Sequence, residues 1–252
     1  MLKAILERFR QGHRTMTYPE APLALPPRFR GLPVLDAARC GDGCRECAAA
    51  CPYGAISATG PLALDMGKCL FCGECSAACP DGAISFSTDA RLASRSRAGL
   101  TVVSGQQYQP GGALEGELLR LFGRSLKLRE VSAAGCGACE ADTNVLSTIG
   151  WDLGRFGIQF VASPRHADGL FVTGAVSENM RLALLDTYAA IPEPKLVIVA
   201  GACAINGGPF KDHAEVHNGV DGLLPVDLYI PGCPPSPLTI LDGLLRLVKK
   251  VY

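Results

Sequence analysis

The stretch CLFCGECSAACP, residues 69–80, belongs to an internal repeat that organises the front of the chain. The run CGECSAACPDGAIS, which starts at Cys72, matches CRECAAACPYGAIS, which starts at Cys44, at a constant offset of 28 residues. Three cysteine pairs coincide, namely Cys44/Cys72, Cys47/Cys75 and Cys51/Cys79, and so do both Cys-Pro prolines. The sequence therefore predicts two copies of one short structural unit.

The cysteine spacing in this repeat is typical of iron–sulfur ligation. The pattern C-x2-C-x2-C-x3-C-P lets one loop present three thiolates to one 4Fe-4S cluster, whereas the fourth cysteine, displaced by the turn before proline, binds a second cluster. We therefore expect two cross-ligated clusters: Cys40, Cys44, Cys47 and Cys79 for cluster I, and Cys69, Cys72, Cys75 and Cys51 for cluster II. A pair of zinc knuckles is the alternative, but zinc sites require neither cysteine triplets nor a Cys-Pro pair.

The first copy departs from this spacing at one place. It reads Cys40-Gly-Asp-Gly-Cys44, which is one residue longer than the usual gap. Gly41 and Gly43 can absorb the extra bend, because glycine readily adopts left-handed backbone angles. The sequence leaves open whether the longer loop changes the geometry or the potential of cluster I.

The composition excludes several classes of protein. The 24 basic and 24 acidic residues balance and no long basic run occurs, so we expect no nucleic-acid partner. The longest apolar stretch, LVIVAGACAI at 196–205, is too short to span a membrane, and the first fifteen residues lack the features of a secretory signal. Twelve cysteines in a reducing cytoplasm indicate metal binding rather than disulfides.

The first ten residues predict a short basic amphipathic helix. Apolar residues recur there at helical spacing between Lys3, Arg8 and Arg10; they are Leu2, Ile5, Leu6 and Phe9. Such a helix suits either a membrane surface or docking onto an integral membrane subunit. We therefore expect a cytoplasmic protein that is peripherally attached to the inner (cytoplasmic) membrane through a complex.

Composition and periodicity divide the chain into four parts. We expect an N-terminal helix and extended docking arm at 1–35, a small α+β ferredoxin-type double-cluster domain at 36–88, a linker at 89–112 and an α/β domain at 113–252. The proposed linker is rich in Ser, Arg, Gln and Gly and has no sustained periodicity. In the last part strand-like and helix-like segments alternate, which predicts a parallel sheet covered by helices on both faces.

Each of the four remaining cysteines comes shortly after a predicted strand of this sheet: Cys136, Cys139, Cys203 and Cys233. The carboxyl ends of the strands in an open parallel sheet lie at one edge, where ligand crevices form. Residues that are far apart in sequence can therefore come together there, and glycines such as Gly201 let the backbone approach a bulky group. The pattern predicts a third four-thiolate site; four separate buried free cysteines are the alternative.

Three stretches of the second half carry a family resemblance: SPRHADGLFVTGAVSENM (163–180), GACAINGGPF (201–210) and NGVDGLLPVDLYIPGCPPSPLTILDGLLRL (218–247). They resemble the small electron-transfer subunit shared by respiratory complex I, where it is the 20-kDa subunit, and the group 4 membrane-bound nickel–iron hydrogenases. The resemblance implies a flavodoxin-like domain that holds one 4Fe-4S cluster beside a catalytic large subunit. It implies these ligands of cluster III: Cys136, Cys139, Cys203 and Cys233.

The spacing of the first two ligands separates the branches of that family. Complex I subunits have adjacent cysteines at this point, whereas this chain reads Cys136-Gly-Ala-Cys139, as the hydrogenases do. The resemblance therefore favours the hydrogenase branch, which includes formate-hydrogenlyase-like complexes and their relatives that are not hydrogenases.

The front of the chain resembles a different subunit of the same complexes. The stretch TMTYPEAPLALPPRFRGLPVLD (15–36), followed by the double-cluster repeat, is similar to the ferredoxin-type subunit, the 23-kDa class of complex I. A fusion of the two subunits raises the effective concentration of one electron carrier beside the other.

Together the two resemblances imply an electron-transfer subunit of an oxidoreductase complex, with three 4Fe-4S clusters and no catalytic residue of its own. The implied partners are a hydrogenase-like or complex I 49-kDa-like large subunit, integral membrane subunits, and a protein that donates or accepts electrons. Two alternatives remain: a complex I-like quinone oxidoreductase subunit, and a stand-alone iron–sulfur binding or sensor protein.

Two weaker signals are left open. Glu140, beside Cys139, either tunes cluster III or relays protons, as the family comparison hints, or is a solvated glutamate at the start of a helix. His213 and His217 have the spacing of a helical metal pair, but no third ligand lies nearby in sequence.

Overall fold

Two small antiparallel sheets and three helices form the front of the chain in the computed structural model, which describes residues 2–12, 14–41 and 43–251. The elements are α1 (Leu2–Gln11), β1 (Pro33–Leu35), α2 (Glu46–Ala49), β2 (Ile56–Ser57), β3 (Ala63–Asp65), α3 (Glu74–Ala77), β4 (Ile84–Phe86) and β5 (Thr101–Val103). Strand β1 pairs with β4, and β2, β3 and β5 form a second sheet in that order.

The internal repeat is confirmed as a repeat of structure. Helices α2 and α3 begin 28 residues apart, as do β2 and β4. In each copy a glycine with positive φ joins the helix to the strand, at 58° for Gly54 and 63° for Gly82. Because β2 pairs with β3 and β4 pairs with β1, the two copies contribute to different sheets.

The segment 89–112, which we expected to be a linker without regular structure, contains a β-strand. It contains β5, and Leu100 and Val102 are buried on either side of the exposed Thr101. This alternation has the period of a strand but lasts for only three residues, which is too short to stand out in the sequence. The segment therefore completes the second sheet of the front half instead of serving only as a spacer.

Five parallel strands form the sheet of the second half, in the order β10-β9-β8-β6-β7. Their bounds are β6 (Leu126–Ser132), β7 (Ile158–Phe160), β8 (Gly169–Thr173), β9 (Leu196–Ala200) and β10 (Leu228–Ile230). Counted within this domain, the order is 2-1-3-4-5 when read from β7, which is the flavodoxin-like arrangement. The expected fold class, a flavodoxin-like parallel sheet preceded by a small α+β domain, is confirmed.

Helices cover the sheet and bury its central strands. They are α4 (Gly116–Phe122), α5 (Ala138–Val145), α6 (Glu178–Ala190), α7 (Ala202–Asn206) and α8 (Pro237–Leu247). Every residue of β8 and β9 is buried. Helix α8 begins as the sequence predicts, with Pro237 in its first turn and the hydroxyl of Ser236 accepting a hydrogen bond from the backbone N–H of Thr239 at 3.1 Å.

Helix α1 confirms the expected N-terminal helix and buries none of its residues. Its apolar side chains are among the most exposed of the described residues, with Phe9 83% and Leu2 77% exposed. None of the helices within the described ranges combines the length and the apolar composition that a membrane span requires.

Candidate iron–sulfur sites

The structure brings the twelve cysteines together in three sets of four. We call them site I (Cys40, Cys44, Cys47 and Cys79), site II (Cys51, Cys69, Cys72 and Cys75) and site III (Cys136, Cys139, Cys203 and Cys233). Sites I and II lie in the double-cluster domain, and site III lies at the edge of the parallel sheet.

Site II shows the crossing between the two repeat copies. All four of its cysteines line one cavity beside α3, and Cys51 reaches that cavity from the end of α2, in the other copy. Burial and the neighbouring thiols raise the pKa of Cys69 to about 12 and that of Cys75 to about 11. Buried thiols with such pKa values need positive charge nearby before they can ionise, and iron held at this site would supply that charge.

Site I combines three cysteines of the first copy with Cys79 of the second copy. Burial raises the pKa of Cys40, and the thiols of Cys44, Cys47 and Cys79 raise it further, which places Cys79 with the first copy. Gly43 adopts the left-handed backbone angle expected of it, with φ of 72°. Asp42, the middle residue of the longer loop, lies outside the described residues.

Backbone N–H groups point at the sulfur atoms of the repeat. The N–H of Ala55 donates to Sγ of Cys51 at 3.3 Å, and the N–H of Ala83 donates to Sγ of Cys79 at 3.1 Å. These two bonds occupy equivalent places in the two copies, since both donors lie four residues after the cysteine. Hydrogen bonds of this kind stabilise negative charge on a ligating sulfur. The two copies therefore share this N–H···S hydrogen bond as well as their backbone fold.

Site III forms where three strands of the parallel sheet end. Cys136 and Cys139 follow β6, Cys203 lies in the first turn of α7 after β9, and Cys233 follows β10. The four cysteines line one cavity of about 110 Å³. Across the described residues no three His, Cys, Asp or Glu side chains are arranged to hold a single metal ion, whereas this cavity has room for a group of several atoms.

Gly201 and Gly208 make the close packing of site III possible. A Cβ atom on Gly201 would lie 2.6 Å from Sγ of Cys139, and one on Gly208 would lie 2.9 Å from Sγ of Cys203. Both glycines also have positive φ, at 93° and 52°. The set of four sulfur donors, two of them buried, and this close backbone approach fit a 4Fe-4S cluster.

Thiol ionisation at site III is opposed in the same way as at site II. Burial raises the pKa of Cys203 to about 11, and the nearby thiol of Cys233 adds to the shift. Burial and the thiol of Cys203 also raise the pKa of Cys139.

Glu140 is held in place behind site III instead of being freely solvated. Its Oε1 accepts hydrogen bonds from Ser132 Oγ at 2.5 Å and from Thr173 Oγ1 at 2.6 Å. Burial raises the pKa of Glu140, but these two hydrogen bonds and one from its own backbone N–H together outweigh burial, so the pKa is lowered overall. The carboxylate therefore adds fixed negative charge at the ends of β6 and β8.

Glu130 is a half-buried acid that the sequence does not reveal. Burial, and then the charge of Glu140, raise its pKa to about 7, while Arg129 acts in the opposite direction. One of its carboxylate oxygens, Oε1, is buried without a hydrogen-bond partner. Glu130 lies within the charged-looking stretch LKLRE, so only the folded sheet shows that its carboxyl group is partly buried.

The two histidines do not form a helical pair. The segment that contains His213 and His217 is a turn, and Nε2 of His217 lies 2.5 Å from Oε2 of Glu178. This contact gives His217 a partner at the start of α6, and neither residue lines the cavity of site III.

The fold and the cysteine arrangement define a 4Fe-4S protein in which a double-cluster domain precedes a flavodoxin-like domain. Family models match both parts: "NADH ubiquinone oxidoreductase, 20 Kd subunit" matches residues 136–247, and "4Fe-4S dicluster domain" matches residues 39–83. The chain belongs to the NADH ubiquinone oxidoreductase 20 Kd subunit family.

Relatives from both branches of the family resemble this chain. An NADH-quinone oxidoreductase subunit from Desulfovibrio desulfuricans is 42% identical over 146 residues, which are 57% of this chain and 79% of the relative. Formate hydrogenlyase subunit 7 of Escherichia coli is 43% identical over 131 residues, which are 52% of this chain and 51% of the relative.

Coverage of other relatives is also partial. The chain spans 66% of the corresponding NADH-quinone oxidoreductase subunit from Bacteroides thetaiotaomicron, which is 42% identical to it. One chain in the solved structure of the membrane-bound sulfane sulfur reductase, an archaeal respiratory membrane complex, is 34% identical with a TM-score of 0.46, over 52% of this chain and 73% of that chain.

Proposed function

We propose that the chain is an electron-transfer subunit with three 4Fe-4S clusters, which relays single electrons between a donor and the large subunit of a membrane-bound group 4 nickel–iron hydrogenase-like complex. The observation that carries the proposal is the grouping of twelve cysteines into three four-thiol sites. When bound, each cluster supplies one-electron redox chemistry and makes no bond to a substrate.

The residues of the chain would bind the clusters and adjust their potentials. The cysteines of sites I, II and III are the proposed ligands. The N–H groups of Ala55 and Ala83 stabilise charge on sulfur and so favour the reduced state, whereas the carboxylate of Glu140 beside site III disfavours it. For one-electron carriers a difference of about 59 mV changes the equilibrium about tenfold, so such groups can bias the direction of flow.

The partner surface is proposed at the open side of site III. Cys136 and Cys233 are exposed, whereas Cys139 and Cys203 are buried. An exposed pair of ligands leaves the cluster position near the surface, where a large subunit can cover it. The hydrogenase-like spacing of Cys136-Gly-Ala-Cys139 supports a hydrogenase-like large subunit.

The test is the iron content and the low-temperature paramagnetic resonance spectrum of the anaerobically reconstituted chain. We expect about twelve irons per chain, or three groups of four. Replacing Cys203 and Cys233 by serine should remove about four irons and one spectral component. An unaltered iron content and spectrum in that variant would overturn the proposal.

A complex I-like quinone oxidoreductase subunit is the second candidate, because the relatives that are NADH-quinone oxidoreductase subunits are as similar to this chain as formate hydrogenlyase subunit 7. The purified complex separates the two candidates. Hydrogen production, with nickel in the co-purified large subunit, supports the hydrogenase-like function, whereas quinone reduction without nickel supports the second candidate.

A further inference from the structure

Residues 94–103, which we call the brace, pair with both domains at once. Ser94 exchanges two backbone hydrogen bonds with Tyr229 on β10, at 3.0 Å and 2.8 Å. At its other end the brace becomes β5, which pairs with β3 of the front half. Because both ends are hydrogen-bonded to strands, the brace restricts movement of one domain relative to the other.

Arg97 lies in the middle of the brace and binds Asp65 at the end of β3. Its Nη1 and Nη2 atoms donate to the two carboxylate oxygens of Asp65 at 2.7 Å and 2.8 Å. Both side chains are largely shielded from solvent, with 26% of Arg97 and 19% of Asp65 exposed. A bidentate pair of this kind fixes orientation as well as distance.

Asp65 in turn organises the backbone that leads to Cys69. Its Oδ1 accepts a hydrogen bond from the N–H of Gly67 at 2.9 Å, and its carbonyl oxygen accepts one from the N–H of Cys69 at 3.1 Å. The guanidinium of Arg97 thus holds, through Asp65, the turn that delivers one sulfur of site II.

The same turn packs against the helix that carries a sulfur of site III. A Cβ atom on Gly67 would lie 2.9 Å from Cγ2 of Ile205 and 2.7 Å from the guanidinium carbon of Arg97. Ile205 lies on α7, two residues after Cys203. Gly67 is two residues before Cys69, so a short path of packed residues joins sites II and III.

We propose that Arg97 is a positioning residue for electron transfer between sites II and III. Arg97 holds the Cys69 turn against α7 and so fixes the separation of sites II and III. Of the two sites in the front domain, site II is then the one that exchanges electrons with site III. This inference rests on the proposed function, because it assumes that both sites bind clusters.

The experiment compares the full chain with Arg97→Gln after anaerobic reconstitution and reduction. The resonance signal of site III is isolated as the difference between the full chain and Cys203→Ser. A neighbouring reduced cluster splits that signal by a magnetic interaction that falls steeply with separation. We expect a resolved splitting in the parent chain and its loss in Arg97→Gln, because a loosened turn gives a spread of separations.

Arg246→Gln is the matched control. Arg246 forms a comparably shielded ion pair with Asp242, at 2.8 Å, but on α8 and away from the Cys69 turn. This variant should keep the splitting even if its melting temperature falls as much as that of Arg97→Gln. Arg97→Lys should restore the splitting in part, since lysine returns the charge but not the two-point contact.

The iron content and the site III signal distinguish a failure of the proposed function from a failure of the role proposed for Arg97. Absence of a site III signal in the parent chain would contradict the proposed function, whereas full iron with an unchanged splitting in Arg97→Gln would overturn the role of Arg97. If Arg97→Gln does not load iron, Gly67→Ala takes its place, because the added methyl group pushes the turn away from Ile205. An unchanged splitting in Gly67→Ala would also overturn the inference.

Discussion

Gly201 shows how a single residue can control a whole site. It joins β9 to α7 with a backbone angle that residues with side chains rarely adopt, and a Cβ atom at this position would meet the sulfur of Cys139. Loops from different parts of the chain can share a compact group of atoms only if no side chain separates them. Cys139 and Cys203 therefore depend on a residue that is itself no ligand.

Gly201→Ala should disrupt site III while sites I and II remain. The added Cβ would meet Sγ of Cys139 at 2.6 Å, and the positive φ adds strain of about 1–3 kcal/mol. We expect the iron content to fall from about twelve to about eight per chain, measured after reconstitution. Gly112→Ala is the control, because a Cβ on Gly112 meets no atom within 4 Å; equal iron in both variants would contradict this prediction.

The raised pKa of Glu130 should make the stability of the folded chain depend on pH. Burial and the charge of Glu140 raise its pKa from the ordinary 4.5 to about 7, so the unfolded chain releases this proton first, and stability falls as pH rises from about 4.5 to about 7 and then levels off. Glu130→Gln removes this loss. The carboxyl group is partly exposed, so we expect a gain of only about 1 kcal/mol, or roughly 2–4 °C in melting temperature, at pH 8.5. At pH 5 we expect only about a quarter of that gain, because most of the fall in stability occurs between about pH 5 and about pH 7.

Melting of the cluster-loaded chain under anaerobic conditions at the two pH values measures the effect. Glu117→Gln, at an exposed position on α4, is the control and should show the same difference from the parent chain at both pH values. A Glu130→Gln variant whose advantage does not grow with pH would show that the carboxyl group is not protonated at neutral pH.

At the scale of single elements, α1 differs from the other α-helices of the described residues because none of its residues is buried. An isolated helix of ten residues is marginal in water, so α1 needs a surface that covers its apolar face. The same face carries Lys3, Arg8 and Arg10 at its borders, a distribution that suits an anionic membrane surface.

Replacing Leu6 and Phe9 by aspartate should weaken attachment to membranes. These two side chains are 51% and 83% exposed, and burying an apolar side chain contributes about 1.5–3 kcal/mol, so the double variant should bind at least about tenfold more weakly. Flotation with vesicles that contain phosphatidylglycerol measures binding. Leu182→Asp, at an exposed position on α6, should bind like the parent chain; equal binding of the double variant would assign α1 to a protein partner instead.

Elements also show where sequence analysis succeeds and where it fails. The sequence predicts the five strands of the second half and three of its helices, α5, α6 and α8, because most of their apolar runs are long and end at glycine, proline or a capping serine such as Ser236; it does not predict α4 and α7. Strand β5 was missed because only Leu100 and Val102 carry its pattern, and their burial depends on a sheet from another part of the chain. Glu130 was missed for the same reason, since its environment is made by tertiary contacts.

For the molecule as a whole, the segment 89–112 is part of the interface between the domains. Ala93 packs against α8, where a Cβ on Gly243 would lie 2.9 Å from it, and Leu92 and Ala93 are both buried. Tyr108 donates a hydrogen bond to the carbonyl of Leu92 at 2.6 Å. One hydrophobic cluster runs without interruption from Cys69 of the front half to Ile205 of the second half.

A truncated chain of residues 113–252 should therefore be less soluble than one of residues 89–252. Without Ser94 the edge of β10 is left unpaired, and unpaired edges promote association between chains. Gel filtration of the two fragments, expressed in parallel, provides the measurement. Similar monomer yields would show that residues 89–112 are dispensable for the second domain.

The crossing of the two repeat copies has a consequence for biosynthesis. Cys51 completes a set whose other members are made later, and Cys79 completes a set whose other members are made earlier, so neither copy is self-sufficient. A ribosome must deliver both copies before either quartet of sulfurs can close, and it must reach Cys233 before the last quartet exists. The first two sets are therefore complete once Cys79 has been made, whereas the set that includes Cys233 has to wait for nearly the entire polypeptide. A nascent chain that stalls between these two residues thus offers the assembly machinery two complete sets of thiols and one incomplete set.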